Sequence, residues 1–156
     1  LMFSILVFIT GIWDGIDGQI ARLTNKVSKF GGFFDSVMDR ISEFFIFLGL
    51  IIFNWNRIFW NLIDMRLIVI VSFISSFMIS YSRAKAEILF KGDFDIGLMG
   101  RSERLFYIFL TMLIATFYGF TEEFLFILMW LTIGTYLFRS IKIFDQIKKA
   151  ENRSIE

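Results

Sequence analysis

The stretch that decides the fold runs from residue 14 to residue 39 and reads DGIDGQIARLTNKVSKFGGFFDSVMD. It joins two apolar segments and carries four aspartates, Asp14, Asp17, Asp35 and Asp39. An ionised carboxylate at membrane depth is costly, so apolar helices do not carry such groups without a reason. The stretch therefore predicts two helices joined by a short loop, with acids that serve a function.

On the first of these helices, small residues share a face with the acids. Asp14 and Asp17 are three residues apart, so their side chains lie on one helix face. Gly18 and Ala21 complete that face with almost no side chain. The pattern predicts a groove in which a ligand can approach the backbone.

On the second helix, Gly31, Asp35 and Asp39 follow one another every four residues and again share a face. Two antiparallel helices joined by a short loop bring both faces together, and such a cluster of like charges is unfavourable unless cations neutralise it. Two Mg²⁺ or Mn²⁺ ions about 3.5–4 Å apart do so in enzymes that displace phosphoryl groups. The alternative is that the acids only cap a helix end or lie solvated in a first helical turn.

The amino-acid composition limits the class of protein and the kinds of catalytic group that are possible. The chain has 156 residues, 56% of them hydrophobic, whereas a soluble domain is about 45–50% apolar. It contains no Cys and no His, which excludes disulfides, thiolate nucleophiles and the commonest general base. The net charge of +1 indicates no nucleic-acid partner. We therefore expect a membrane protein whose metal, if any, is a hard cation held by carboxylates.

The hydrophobic pattern predicts an all-α, polytopic membrane helix bundle. We expect one domain over residues 1–156, because a span takes about 20 residues and no separate soluble domain fits. Five helices are predicted, at about 1–26, 29–54, 66–89, 102–120 and 122–147, the last with a polar extension.

The positive charges predict the orientation. Fourteen of the sixteen Lys and Arg residues fall on one side of the membrane, and only Arg57 and Arg66 fall on the other. The rich side should be cytoplasmic, and Trp55 and Trp60 fit an interfacial belt on the poor side. Five spans with a cytoplasmic C-terminus put Leu1 outside, so we expect a sixth, preceding helix to be missing from this chain.

The quoted stretch matches D-x2-D-G-x2-A-R-x8-G-x3-D-x3-D at all eight fixed positions. It resembles the signature of the CDP-alcohol phosphotransferase family, and the hydrophobic helices with short loops resemble that family in outline. The resemblance implies six membrane helices, of which this chain shows five, and a homodimer. It also implies that the absent first helix contributes to the nucleotide pocket.

The resemblance implies roles for the site residues. The four aspartates, Asp14, Asp17, Asp35 and Asp39, are implied to bind two divalent metals that hold the diphosphate of a CDP-linked lipid. Asp39 is also implied to be the catalytic base that takes the proton from the acceptor hydroxyl. The residues implied to line the CDP site are Gly18, Ala21, Arg22 and Gly31. The implied reaction is attack by an alcohol on the lipid-side phosphorus, with CMP leaving.

Cations near the ends of the last three helices indicate an acceptor that itself carries a phosphate. The stretches 80–87 and 97–104 resemble the branch of phosphatidylinositol-phosphate and archaetidylinositol-phosphate synthases, although Arg is more usual where Lys85 stands. This resemblance implies that inositol phosphate is held by Ser80, Arg83, Lys85, Arg101 and Arg139. Glu87 and Glu103 are candidate ion-pair partners that fix neighbouring arginines.

Several alternatives remain open at this point. The same chemistry could use glycerol phosphate, serine, inositol or a CDP-inositol-type substrate. The cations could serve only to set the membrane orientation, and Ser80 could bond back to its own helix. A divalent-metal transporter is a remote alternative, but it has no need of the glycines, alanine and arginine at these spacings.

Overall fold

The computed structural model describes residues 1–23, 28–89, 97 and 99–153. Within these ranges, the side chains of residues 13–23, 29, 150, 152 and 153 lie outside the description. Five predicted site residues lie on a described backbone with side chains outside the described part of the structure: Asp14, Asp17, Gly18, Ala21 and Arg22.

The described chain folds into five helices and one short hairpin. The helices are α1 (Met2–Leu23), α2 (Lys29–Phe53), α3 (Met65–Leu89), α4 (Arg101–Tyr118) and α5 (Thr121–Arg153). The hairpin between α2 and α3 consists of β1 (Ile58–Phe59) and β2 (Ile63–Asp64). The prediction of five helices is confirmed, and most of their ends lie within a few residues of the predicted positions. The helical polar extension of α5 continues to Arg153.

Side-chain and backbone caps fix both ends of α2. The Ser28 hydroxyl accepts a hydrogen bond from the Gly31 backbone N–H at 2.9 Å, which satisfies one of the donors that a helix start leaves unpaired. At the other end, Asn54 is buried and its side-chain amide donates to the Leu50 carbonyl at 2.8 Å. The helix that carries Asp35 and Asp39 is therefore defined at both ends by local sequence.

The hairpin was not predicted. Its two antiparallel strands pair Ile58 with Asp64 and Phe59 with Ile63, and its turn residues Trp60 and Asn61 have φ values of 48° and 56°. Asn tolerates this left-handed conformation, whereas Trp adopts it rarely. Each strand is only two residues long, too short for a recognisable alternating pattern.

The hairpin side of the bundle is rich in aromatic side chains. Trp55 and Trp60 are exposed, and the Arg66 guanidinium lies 5.1 Å from the centre of the Trp55 ring. A hydrogen bond from Arg66 also lowers the pKa of Asp64 to about 2. The exposed tryptophans fit the predicted interfacial belt.

The helices pack as α3 on α5, α1 on α4, α2 on α3 and α4 on α5. Their core includes Leu50, Met65, Ile68, Ile108 and Leu128. Small polar residues are also buried in the bundle: Ser72 donates to the Ile68 carbonyl at 2.8 Å, and Thr132 donates to the Met129 carbonyl at 2.9 Å. Such residues satisfy their hydroxyls within their own helix and allow close packing, as in membrane bundles.

Within the described residues, two stretches are each long and apolar enough to cross a membrane, Met65–Leu89 and Thr121–Lys149. Met2–Ile12 forms a shorter apolar stretch. In α4, charged residues in the first turn shorten the apolar part of the helix. In α2, the charged residues all lie before Phe44, so the apolar part is again shorter than the helix. Large apolar side chains remain exposed on all five helices, as expected where lipid rather than water surrounds a bundle.

Candidate active site

A cavity of about 470 Å³ opens at the end of the bundle opposite the hairpin, which is within the usual size range of small-molecule sites. Four helices and the residue before α4 contribute to its lining. The lining residues are Ser36, Asp39, Arg40, Phe77, Ile79, Ser80, Tyr81, Arg83, Ala84, Glu87, Gly100, Arg101 and Arg139.

The cavity brings together several residues that the sequence predicted for the site. These residues are Asp39, Ser80, Arg83, Arg101 and Arg139. Lys85 is different, because its exposed side chain on α3 is not part of the lining. Asp35 is exposed on α2 one turn before Asp39, and Gly31 lies in the first turn of the same helix.

An ion pair joins the predicted catalytic base to a residue predicted to bind the acceptor alcohol. The Arg101 Nη1 atom lies 2.7 Å from the Asp39 Oδ1 atom, and Arg101 Nη2 donates to the Ser42 hydroxyl at 3.0 Å. Both charged side chains are largely shielded from solvent. Arg101 begins α4 and Asp39 lies within α2. This contact therefore connects the carboxylates of the predicted site with the cations predicted to bind the acceptor.

Arg139 is held deep in the cavity wall, with 2% of its surface exposed. Its Nη1 atom donates to the Ile79 carbonyl of α3 at 3.3 Å. Gly97 lies nearby, where an added Cβ would be 3.6 Å from Arg139 Nη2 and 3.0 Å from Thr135 Cγ2. The α3 backbone therefore restricts this guanidinium, and Gly97 leaves little space beside it.

The backbone conformation and surroundings of Gly97 predict the effect of Gly97→Ala. Gly97 has φ +131°, a region that side chains rarely adopt at a cost of about 1–3 kcal/mol, and the new methyl group would press on Thr135. We expect the free energy of unfolding to fall by about that amount, measured by thermal unfolding in detergent. Gly134→Ala is the control, because a Cβ there meets nothing within 4 Å. Equal stability of the two variants would contradict the prediction.

Arg83 and Ser80 lie close to polar groups of their own helix. Arg83 donates to the Glu87 carboxylate at 2.8 Å, one turn further along α3, so Glu87 is an ion-pair partner as predicted. The Ser80 hydroxyl lies 3.5 Å from the Ser76 carbonyl, which is at the limit of hydrogen-bond geometry. Glu103, the other predicted partner, lies close to Gly100 at the start of α4.

Sequence reasoning missed a buried ionic network next to the cavity. Arg104 Nε donates to Glu43 Oε1 at 3.0 Å, and Arg40 Nη1 donates to Glu43 Oε2 at 3.0 Å. Glu43 lies four residues after Asp39, so it is a further acid on the helix face that carries the signature. An acid at that position, within an otherwise apolar segment, indicates a charge that needs a partner, so the sequence did contain a signal for this network.

The donor set of the signature fits a hard divalent cation, because carboxylate oxygens are the ligands that Mg²⁺ and Mn²⁺ prefer. Asp35 and Asp39 are placed one turn apart on α2. Among the described side chains, no three His, Cys, Asp or Glu residues gather into one cluster. The two remaining predicted ligands, Asp14 and Asp17, lie outside the described side chains.

Comparison with known proteins identifies the family. Residues 1–138 match the family model described as CDP-alcohol phosphatidyltransferase. The chain is 37% identical over 113 residues to an archaetidylinositol phosphate synthase of Pyrococcus horikoshii, covering 72% of this chain and 56% of that protein. It is 31% identical over 99 residues to a phosphatidylinositol phosphate synthase of Mycobacteroides abscessus, covering 64% of this chain and 44% of that protein.

A third relative is a bifunctional IPC transferase and DIPP synthase of Archaeoglobus fulgidus. It is 31% identical over 105 residues, covering 67% of this chain and 19% of that protein. The chain therefore spans about half the length of the two synthases and a smaller part of the bifunctional protein. The helical bundle and its apolar outer surface agree with a polytopic membrane protein. Because the family model matches most of its length, the chain belongs to the CDP-alcohol phosphatidyltransferase family, a family of membrane-bound phosphotransferases.

Proposed function

We propose that the protein transfers a phospholipid group, phosphatidyl or archaetidyl, from a CDP-linked lipid to inositol phosphate and releases CMP. The observation that supports this most is the cavity lining, where Asp39 of the signature meets Arg83, Arg101 and Arg139. A single cavity thus contains both a candidate base and a cluster of cations for a phosphorylated acceptor.

The arginines are proposed to bind the acceptor phosphate. Guanidinium groups bind phosphate oxygens through paired, charge-assisted hydrogen bonds. Arg139 is buried and restricted by its contact with the Ile79 carbonyl, and Arg101 by its contact with Ser42. Little side-chain freedom then remains to be lost on binding, which favours affinity. Ser80 contributes a hydroxyl to the same wall, and Lys85 stays a prediction from the resemblance alone.

Asp39 is proposed to act as the general base. Its carboxylate accepts the proton of the acceptor hydroxyl as that oxygen bonds to the lipid-side phosphorus. The bond from this phosphorus to the oxygen of CMP breaks, and CMP takes the electron pair. Proton removal by a positioned carboxylate of this kind contributes about 10²–10⁴-fold to the rate.

Members of this family generally use divalent metals, and we propose two Mg²⁺ or Mn²⁺ ions here. Asp14, Asp17, Asp35 and Asp39 would hold them. Such ions, when bound, neutralise negative charge on the transferring and leaving oxygens. The CDP group is proposed to lie against Gly18, Ala21, Arg22 and Gly31. Gly31 offers an exposed backbone at the start of α2, where its N–H donates to Ser28.

The proposed CDP site predicts the effect of Gly18→Leu. The added side chain should fill the groove beside the aspartates and block CDP-lipid binding while the helices stay folded. Gly11→Leu is the matched control on the same helix, because a Cβ at Gly11 meets nothing within 4 Å. Binding is measured by the thermal shift that a CDP-lipid analogue causes in detergent. Unchanged binding by the Gly18 variant would place the groove elsewhere.

The proposal is tested with an acceptor panel. Purified protein is given CDP-diacylglycerol or CDP-archaeol with inositol phosphate, glycerol phosphate, serine or inositol, and CMP release is measured. We expect release with inositol phosphate and its loss on chelation of divalent cations. A better acceptor among the other three overturns the acceptor assignment. Metal-dependent CMP release with any of them excludes a transporter as the sole function.

The cytoplasmic orientation, predicted from the positive charges, is part of the same proposal. So is the homodimer, which the family resemblance implies. Because the sequence has no Cys, Ser102→Cys at the exposed start of α4 supplies a unique thiol. In sealed right-side-out vesicles, an impermeant maleimide should label it only after the membrane is opened. The mass of the detergent-solubilised protein, measured by light scattering, tests the homodimer.

A further inference from the structure

Glu43 is a buried carboxylate whose two oxygens bind different arginines. Its residue exposure is 3%, and that of Arg104 is 1%. Oε1 accepts from Arg104 Nε at 3.0 Å and also from Arg104 Nη2. Oε2 accepts from Arg40 Nη1 at 3.0 Å. The carboxylate is therefore fully engaged by one residue of α4 and one of its own helix.

Burial of such an ion pair is a poor source of stability. Removing charges from water is expensive, and apolar side chains of similar volume often serve the fold as well or better. The attested use of buried ion pairs and polar groups is instead to fix the register between elements. We therefore expect the Glu43–Arg104 pair to fix the position of α4 relative to α2.

Arg104 ties the start of α4 in two ways. While its Nε and Nη2 atoms bind Glu43, its Nη1 atom donates to the Met99 carbonyl at 2.8 Å, just before the helix. Arg101 lies three residues earlier on the same side of α4. Fixing Arg104 and the Met99 carbonyl therefore also fixes the direction from which Arg101 extends.

The same spacing occurs on α2, where Asp39 lies one turn before Glu43. The two helices are thus connected by two successive ion pairs, which we call the inner pair, Glu43–Arg104, and the outer pair, Asp39–Arg101. Within the described residues, α2 packs mainly on α3, and α4 packs on α1 and α5. These two ion pairs therefore join α2 to α4 at this end.

We propose that Glu43 is a positioning residue. Through the inner pair it holds the start of α4 against α2, so that Arg101 faces Asp39 at the cavity. Glu43 itself does not line the cavity, so the proposal gives it no contact with either substrate. The proposal rests on the proposed function, because it assigns Glu43 to the geometry of the acceptor side of that site.

The kinetic test uses Glu43→Gln, which keeps the shape of the side chain and removes its charge. We expect the KM for inositol phosphate to rise at least tenfold, while the KM for CDP-lipid changes less than twofold. Glu122→Gln is the matched control, since it alters a Glu–Arg contact with Arg57 outside the cavity lining, and it should change neither KM. A proportional rise of both KM values in Glu43→Gln, or no rise, overturns the proposal.

A second measurement does not depend on activity. A nitroxide at Ser102→Cys reports the mobility of the first turn of α4, and one at Tyr118→Cys reports that of its last turn; both sites are exposed. Glu43→Gln should sharpen the spectrum at position 102 and leave position 118 unchanged. Equal spectra at position 102, or equal changes at both, overturn the proposal. If position 102 responds but inositol phosphate is not an acceptor, the proposed acceptor fails and the positioning role stands.

A double variant covers the case in which Glu43→Gln does not fold. Glu43→Leu with Arg104→Met removes both buried charges at similar volume, which leaves stability nearly unchanged in comparable proteins. We expect the folded double variant still to show the tenfold rise in the KM for inositol phosphate. Wild-type KM values for both substrates would show that Glu43 only compensates a buried charge, and would overturn the proposal.

Discussion

Asp39→Asn should lower the turnover number by at least about 100-fold, because the amide cannot accept the proton of the acceptor hydroxyl. The amide oxygen can still accept a hydrogen bond from Arg101, which lies 2.7 Å from Asp39 Oδ1. We therefore expect the cavity to keep its shape and CDP-lipid binding to be retained. CMP release at saturating substrates, and CDP-lipid binding by thermal shift, measure the two effects separately.

Asp35→Ala provides the comparison for this variant. Asp35 lies one turn before Asp39 but is exposed and does not line the cavity, so its proposed role is metal binding alone. Turnover should be lost together with affinity for Mg²⁺ or Mn²⁺, measured by titration calorimetry. Near-wild-type turnover of Asp39→Asn would rule out this residue as the base. Full activity of Asp35→Ala would rule out the proposed metal site.

Arg139→Gln and Arg101→Gln should each raise the KM for inositol phosphate about tenfold to hundredfold. The reason is that each removes a charge-assisted hydrogen bond worth about 1.5–3 kcal/mol. The KM for CDP-lipid should stay nearly unchanged. Arg101→Gln should also lower turnover, because Arg101 contacts Asp39, whereas Arg139 contacts the Ile79 carbonyl. Initial rates of CMP release over both substrate concentrations give these values.

Lys142→Gln is the matched control on α5. It lies three residues after Arg139, but its ammonium group rests over the Phe138 ring at 5.0 Å and lies outside the cavity lining. If positive charge at this side of the membrane were sufficient, Lys142→Gln and Arg139→Gln would have equal effects. We expect the control to keep the wild-type KM. Wild-type KM values in both arginine variants would remove the basis for a phosphorylated acceptor.

The helices were predictable because their determinants are local. Apolar runs, the Asp face of α2 and the serine before it all lie within one helix length, where the 3.6-residue period decides which side chains share a face. The hairpin at Ile58–Asp64 escaped prediction for the converse reason. Two-residue strands have no period, and the positive φ at Trp60 results from the surrounding fold rather than from its own preference.

The site could be predicted only in part. The signature named Asp39, and the charge pattern named Arg101, but nothing in the sequence shows that residues 62 positions apart form an ion pair. The rotation of one helix relative to another decides that contact, and packing of the whole bundle sets this rotation. Lys85 illustrates the same limit, because it lies two residues after Arg83 and hence on another side of α3.

The length of α3 has a consequence for how the two substrates meet. Its 25 residues extend about 37 Å, whereas the hydrocarbon layer of a membrane is about 30 Å thick. Its charged last turns, with Arg83 and Glu87, are the end expected to extend beyond the hydrocarbon layer, because charged groups are costly within it. The part of the cavity wall formed by α3 would then lie at the boundary between the hydrocarbon layer and the headgroup region. In the proposed reaction, the water-soluble alcohol would reach the cavity by diffusion in three dimensions, while the lipid-linked donor would diffuse in two and never leave the bilayer.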